Sequence, residues 1–119
     1  MRSCTVLLML VLTAPSVALE VVQGEQVLEC RLSGHTVLRY RFAEVPFKPY
    51  ADILTTPSGI NLLLDAPADH LHHHGLMFAV RLNDVNFWEE AGTAGKQVSE
   101  ALTPSAQGFL EQVRWESPT

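Results

Sequence analysis

Alternation of apolar and polar positions with a period of two is the clearest signal in this chain. Across residues 26–32, Leu28, Cys30 and Leu32 fall on one side and Val27, Glu29 and Arg31 on the other. Successive strand side chains point to opposite faces, so the run predicts a strand with one buried face. Ser33-Gly34 is a turn signal. Residues 36–42 alternate again, with Leu38, Tyr40 and Phe42 inward and Val37, Arg39 and Arg41 outward. Together the two runs predict a hairpin. Residues 60–64 and 76–82 are short apolar runs of strand length, and Asn83-Asp84 turns the second back into Val85-Asn86-Phe87-Trp88. Residues 109–115 predict a final strand, whereas residues 98–102 fit no single pattern.

Proline and glycine punctuate these runs. Pro49 donates no ladder hydrogen bond, which argues against Phe47-Lys48-Pro49-Tyr50 as a central strand. Thr56-Pro57-Ser58-Gly59 predicts a turn. Residues 65–69 predict a loop, as do residues 89–97, which are polar and carry Gly92 and Gly95. No stretch sustains a helical period. The pattern predicts an all-β fold, an antiparallel β-sandwich or part of one. A strand placed last needs a partner already made, and the chain stops four residues after Trp115. This predicts a domain over residues 19–119 that is truncated at its C-terminus, with sheet edges that a partner chain would complete.

The first 18 residues follow a different logic. Arg2 precedes an apolar run, residues 6–12, then Ala14-Pro15 and the small-residue motif Ser16-Val17-Ala18. A charged start, a short apolar core and a small-x-Ala site predict a secretory signal peptide cut after Ala18. The run is too short for a membrane span, which needs roughly 20 apolar residues. Cys4 lies too early to be a lipoprotein cysteine, so Cys30 is the lone cysteine of the mature chain and no internal disulfide forms. That suits a periplasmic or extracellular bacterial protein. Loss of Arg2 leaves seven Lys and Arg against thirteen Asp and Glu, a net charge of −6. An acidic domain without a basic cluster is a poor binder of nucleic acid or anionic membrane, so no nucleic-acid partner is expected.

Chemistry concentrates in Asp69-His70-Leu71-His72-His73-His74-Gly75. Four of the five histidines lie within five residues. In an extended backbone His70, His72 and His74 share one face, roughly 6.5–7 Å apart at their bases, and His73 takes the other. The His-x-His spacing then provides a pair of metal ligands, with a third from His70, Asp69 or another carboxylate. The same residues suit acid–base work, because crowded imidazoles suppress one another's protonation while Asp65 or Asp69 favours it. A solvated histidine-rich loop is the bland alternative. Trp88, beside Phe87, Glu89 and Glu90, predicts a sugar-stacking platform or plain core. Glu89 and Glu90 are adjacent and face opposite ways, so they do not act as a pair. Asn61 and Tyr50 are weaker polar candidates, and His35 is most simply a turn residue. No nucleophile elbow, phosphate loop or dinucleotide fingerprint is present.

The ordered series Phe47-Lys48-Pro49-Tyr50, Thr56-Pro57-Ser58-Gly59, the histidine run and Val85-Asn86-Phe87-Trp88-Glu89-Glu90 resembles the bacterial family labelled methane oxygenase PmoA, over about residues 47–90. That family's signature includes Asp-His-Pro-His-His-Arg-Gly and Asp-Phe-Trp-x-Glu. Asp69, His70, His72, His73, Gly75, Trp88 and Glu90 match by position. Leu71, His74 and Asn86 depart, standing where the family has Pro, Arg and Asp. The resemblance implies a longer secreted β-supersandwich similar to galactose-mutarotase-like carbohydrate proteins. Its label does not imply membrane chemistry, since spanning helices are lacking.

The combined expectation is a secreted protein that binds or turns over a carbohydrate or another small molecule. In this reading His70, His72 and His73 are catalytic, while Asp69, Trp88 and Glu90 bind substrate. Two alternatives stand beside it: a copper- or iron-dependent oxygenase with His70, His72 and His74 as ligands, and a non-catalytic binding domain or remnant.

Overall fold

The computed structural model describes residues 18–118. The expected signal segment, apart from Ala18, and Cys4 lie outside the described residues. Nine strands follow in order: β1 (Leu19–Gln23), β2 (Val27–Leu32), β3 (His35–Arg41), β4 (Tyr50–Leu54), β5 (Leu76–Met77), β6 (Arg81–Leu82), β7 (Val85–Asn86), β8 (Lys96–Ser105) and β9 (Gly108–Glu116). Strands β1 to β5 form one antiparallel sheet in sequence order, and β6–β7 and β8–β9 are two-stranded hairpins. The fold is all-β and antiparallel, with no helix among the described residues.

The alternation in residues 26–42 produces the β2–β3 hairpin directly. Leu28 pairs with Tyr40 and Cys30 with Leu38, and Leu28 and Cys30 are buried. Ser33 and Gly34 both take positive φ (51° and 79°), the combination that matches the twist of a tight hairpin. The face bearing Tyr40 meets the β8–β9 hairpin: the Tyr40 ring lies 4.9 Å from Phe109, and its hydroxyl donates to Glu111. Phe87 is buried with its ring 4.7 Å from Trp115. Gly95 permits this packing, because a Cβ there would stand 2.3 Å from the Phe87 ring.

Four segments differ from the sequence expectation. Residues 60–64 form no strand; Thr55 and Asn61 make only an isolated bridge, and Ile60, Leu62 and Leu64 are exposed. The Asn61 side chain itself occupies the backbone groups a longer ladder would use. Its Oδ1 accepts from the amides of Leu54 (3.0 Å) and Leu63 (3.2 Å), and its Nδ2 donates to the Asp52 carbonyl (3.1 Å). The run 76–82 splits between β5, which joins β4, and β6, which pairs with β7. Between them the Phe78 carbonyl accepts from Gln97 Nε2 (2.8 Å) instead of from a strand.

Tyr50, expected outside any central strand, opens β4, which lies between β3 and β5. Pro49 sets where that strand starts, a position at which a missing N–H costs nothing. The unreadable run 98–102 belongs to the long strand β8, where a bulge between Ser99 and Ala101 puts the alternation out of phase. Strand β8 is therefore the partner that β9 requires.

Candidate functional site

The histidine run does not extend. Residues 66–73 form a loop closed at its neck by the Ala66 amide donating to the His73 carbonyl (2.9 Å). Inside it, His70 N donates to Pro67 O and His73 N to His70 O, each at 2.9 Å. These are two successive turns, and the ends of a turn lie within about 7 Å of each other. His70 and His73 are the ends of the second turn, so their rings stack with centroids 4.7 Å apart. His72 meets His73 edge-on at 4.4 Å and His70 at 6.1 Å. The expected division, with His70, His72 and His74 on one face and His73 on the other, is therefore corrected. Turn geometry replaces period two and gathers His70, His72 and His73.

Trp88 completes this exposed cluster. Its ring stands edge-on to His73, centroids 5.7 Å apart, and the side chain is well exposed. Asn86 turns the chain there, its Oδ1 accepting from the amides of Trp88 (2.9 Å) and Glu89 (3.3 Å). An aspartate would accept in the same way, so the Asn86 departure keeps the turn. Asp69 lies 3.1 Å from His70 Nδ1, but both side chains are largely in solvent, where such a pair contributes little. The His73 pKa is lowered, first by partial desolvation and then by the neighbouring His72 and His70. His73 is thus held toward its neutral, proton-accepting form.

His74 faces the other way and is the best anchored of the four. Its ring lies flat on Tyr50, centroids 4.2 Å apart and planes 20° from parallel. Nδ1 meets Asp65 Oδ1 at 2.7 Å. Nε2 is 3.1 Å from Glu90 Oε1 but out of line for a hydrogen bond, and it is buried without another partner. Glu90 Oε1 also accepts from Lys48 Nζ at 2.8 Å, and the Lys48 side chain is almost fully buried. The Tyr50 hydroxyl reaches Asp65 Oδ2 at 3.4 Å. Burial, and then the charge of Asp65, push that hydroxyl's pKa up, so it stays protonated.

Asp65, His74, Glu90 and Lys48 thus stand next to one another in that order, hydrogen-bonded at each end and in close approach between His74 and Glu90. Glu90 also lines a hollow of about 310 Å³ with Leu71, His72 and Glu89. Gly75 allows the crossing next to His74, since a Cβ there would sit 2.2 Å from the Ala51 carbonyl oxygen. Sequence reasoning placed Glu90 and passed over Lys48. The available signal was a lysine set between Phe47 and Pro49-Tyr50, an apolar setting that demands a buried counter-charge.

Among the described residues no group of three His, Cys, Asp or Glu side chains is arranged to hold a metal ion. The structure does not bring His70, His72 and His74 together: His70 and His72 pack on His73, while His74 stacks on Tyr50 and meets Asp65 through Nδ1.

Residues 27–119 match the family described as being of unknown function and designated DUF6807. The chain belongs to that family. The DUF6807 match takes in every strand from β2 onward and all of the residues of the site. No curated protein and no solved structure matches the chain. Among the described residues no helix is long and apolar enough to cross a membrane.

Proposed function

We propose that this protein is secreted and that it binds, and acts on, a carbohydrate at the face formed by Trp88 and the three loop histidines. The observation that carries the reading is the exposed Trp88 ring at right angles to His73, with His70 and His72 packed against that histidine. A half-exposed indole offers an apolar face to a sugar ring, and the polar groups around it fix the ring's orientation. His73, held toward neutrality, is the proton acceptor, with His70 or His72 as the donor. Glu90, held by Lys48, and Asp69 at the loop tip accept hydrogen bonds from sugar hydroxyls. The resemblance over residues 47–90 supports the same class of ligand. Export is supported by the position of β1, which starts at Leu19, immediately after the proposed cut.

A saccharide-binding screen on the folded protein tests this, with Trp88→Ala and His73→Ala alongside and elemental analysis of each sample. Binding that weakens at least tenfold in Trp88→Ala, with the melting transition retained, is the expected result. Failure of every saccharide, or equal affinity in Trp88→Ala, overturns it. About one equivalent of copper, iron or zinc that is lost in His72→Ala replaces it with a metal-enzyme reading. N-terminal sequencing of exported protein is expected to begin at Leu19.

A further inference from the structure

A second cavity has no part in the histidine site. It lies between the main sheet and the β8–β9 hairpin and has a volume of about 430 Å³, within the range of small-molecule sites. Its walls are largely apolar and aromatic, including Tyr40, Phe109, Phe78, Val113 and Trp115. One charged group, Glu111, also lines it. Glu111 Oε2 accepts from the Tyr40 hydroxyl, and Glu111 Oε1 is buried with no hydrogen-bond partner.

A buried carboxylate oxygen without a donor is costly, so the group that satisfies it carries weight. No donor of the cavity wall reaches Glu111 Oε1. The Tyr40 proton goes to Glu111, and Gln97 Nε2 donates to the Phe78 carbonyl (2.8 Å). Burial raises the Tyr40 pKa, which keeps that hydroxyl a donor and Glu111 the acceptor. The Glu111 carboxylate is thus only partly satisfied by the protein, through Tyr40. A site with one anionic acceptor and several ring walls complements a cation with an apolar body, since ring faces attract cations as well as hydrocarbon.

We propose that this cavity binds an apolar organic ammonium ion, with the ammonium group paired with the Glu111 carboxylate and the apolar body against Phe109, Val113 and Trp115. The exposed Phe78 and Leu76 stand on its lining, where a ligand enters.

The test uses the protein expressed from its full sequence, with 2-phenylethylamine as probe and 2-phenylethanol as its neutral counterpart. Calorimetry measures affinity, and tryptophan fluorescence in a Trp88→Phe background reports on Trp115. The amine is expected to bind at least tenfold more tightly than the alcohol. That preference is expected to vanish in Glu111→Gln and to survive in His73→Ala. Val113→Phe, which fills the cavity and keeps the carboxylate, is expected to abolish binding; it decides the matter if Glu111→Gln does not fold. Absence of amine binding, equal affinity for amine and alcohol, or an unchanged preference in Glu111→Gln overturns the proposal.

Discussion

His74 lies face to face on Tyr50 at 4.2 Å, whereas the other three histidines of its run pack on one another. One segment thus holds two kinds of histidine: His74, which fastens the loop to β4, and three that pack on one another in the loop, of which His70 is exposed. The two kinds are expected to separate on mutation. His74→Ala removes the stack on Tyr50 and leaves Asp65 without its imidazole, a loss of about 2–3 kcal/mol. His70→Ala, at an exposed position, changes stability by no more than about 0.5 kcal/mol. Urea unfolding of both variants checks this, and equal losses would refute the division.

The Lys48–Glu90 pair makes a second expectation. Lys48 is nearly inaccessible and its ammonium depends on Glu90. Glu90→Ala strands a buried positive charge and is expected to cost about 3–5 kcal/mol. Adding Lys48→Met removes the stranded charge, so the double variant is expected to regain much of that loss. A double-mutant cycle by chemical denaturation measures the coupling; strictly additive losses would contradict it.

Gly75 supplies a third. The 2.2 Å approach that a Cβ would make to the Ala51 carbonyl involves backbone, which has little room to yield. Gly75→Ala is expected to cost about 1–3 kcal/mol or more. Amide exchange is expected to quicken at the β4–β5 pairs Tyr50–Met77 and Ala51–Leu76. Retained protection at those amides would show that the strands shift apart without strain.

A fourth concerns pH. The folded-state pKa of His73 lies below its unfolded value, because desolvation and then His72 and His70 disfavour the cation. On acidification below about 6.5 the unfolded chain takes up this proton before the folded chain does. The contribution of His73 is therefore complete above that pH and is lost as pH falls through the lowered folded pKa. Thermal melts of the wild type and of His73→Asn between pH 7.5 and pH 5 are expected to converge toward the acid end. Parallel curves would count against the shift.

Much of the fold was readable because it obeys a local rule. Leu28, Cys30, Leu38 and Tyr40 alternate, and the Ser33-Gly34 and Asn83-Asp84 turns carry residues that tolerate positive φ. The misreadings occur where a side chain stands in for backbone or where the phase slips. Asn61 takes up the amides that a ladder would use, and the bulge at Ser99 and Ala101 interrupts an otherwise long strand. At the site, composition located the loop, and Trp88 and Glu90 came within reach of it. What stayed hidden was orientation, because two consecutive turns, and not a strand, decide which histidines meet. Lys48 stayed hidden for another reason: its partner Glu90 is 42 positions away, beyond any local pattern.

The closed neck at Ala66 and His73 separates the tip of the loop from the structure that carries it. Anchorage rests on Asp65 and His74 below the neck, while the tip residues Asp69, His70, Leu71 and His72 contribute little to holding the sheet. The tip is therefore a replaceable cassette. Its chemistry can be rewritten, by drift or by design, at small cost to folding.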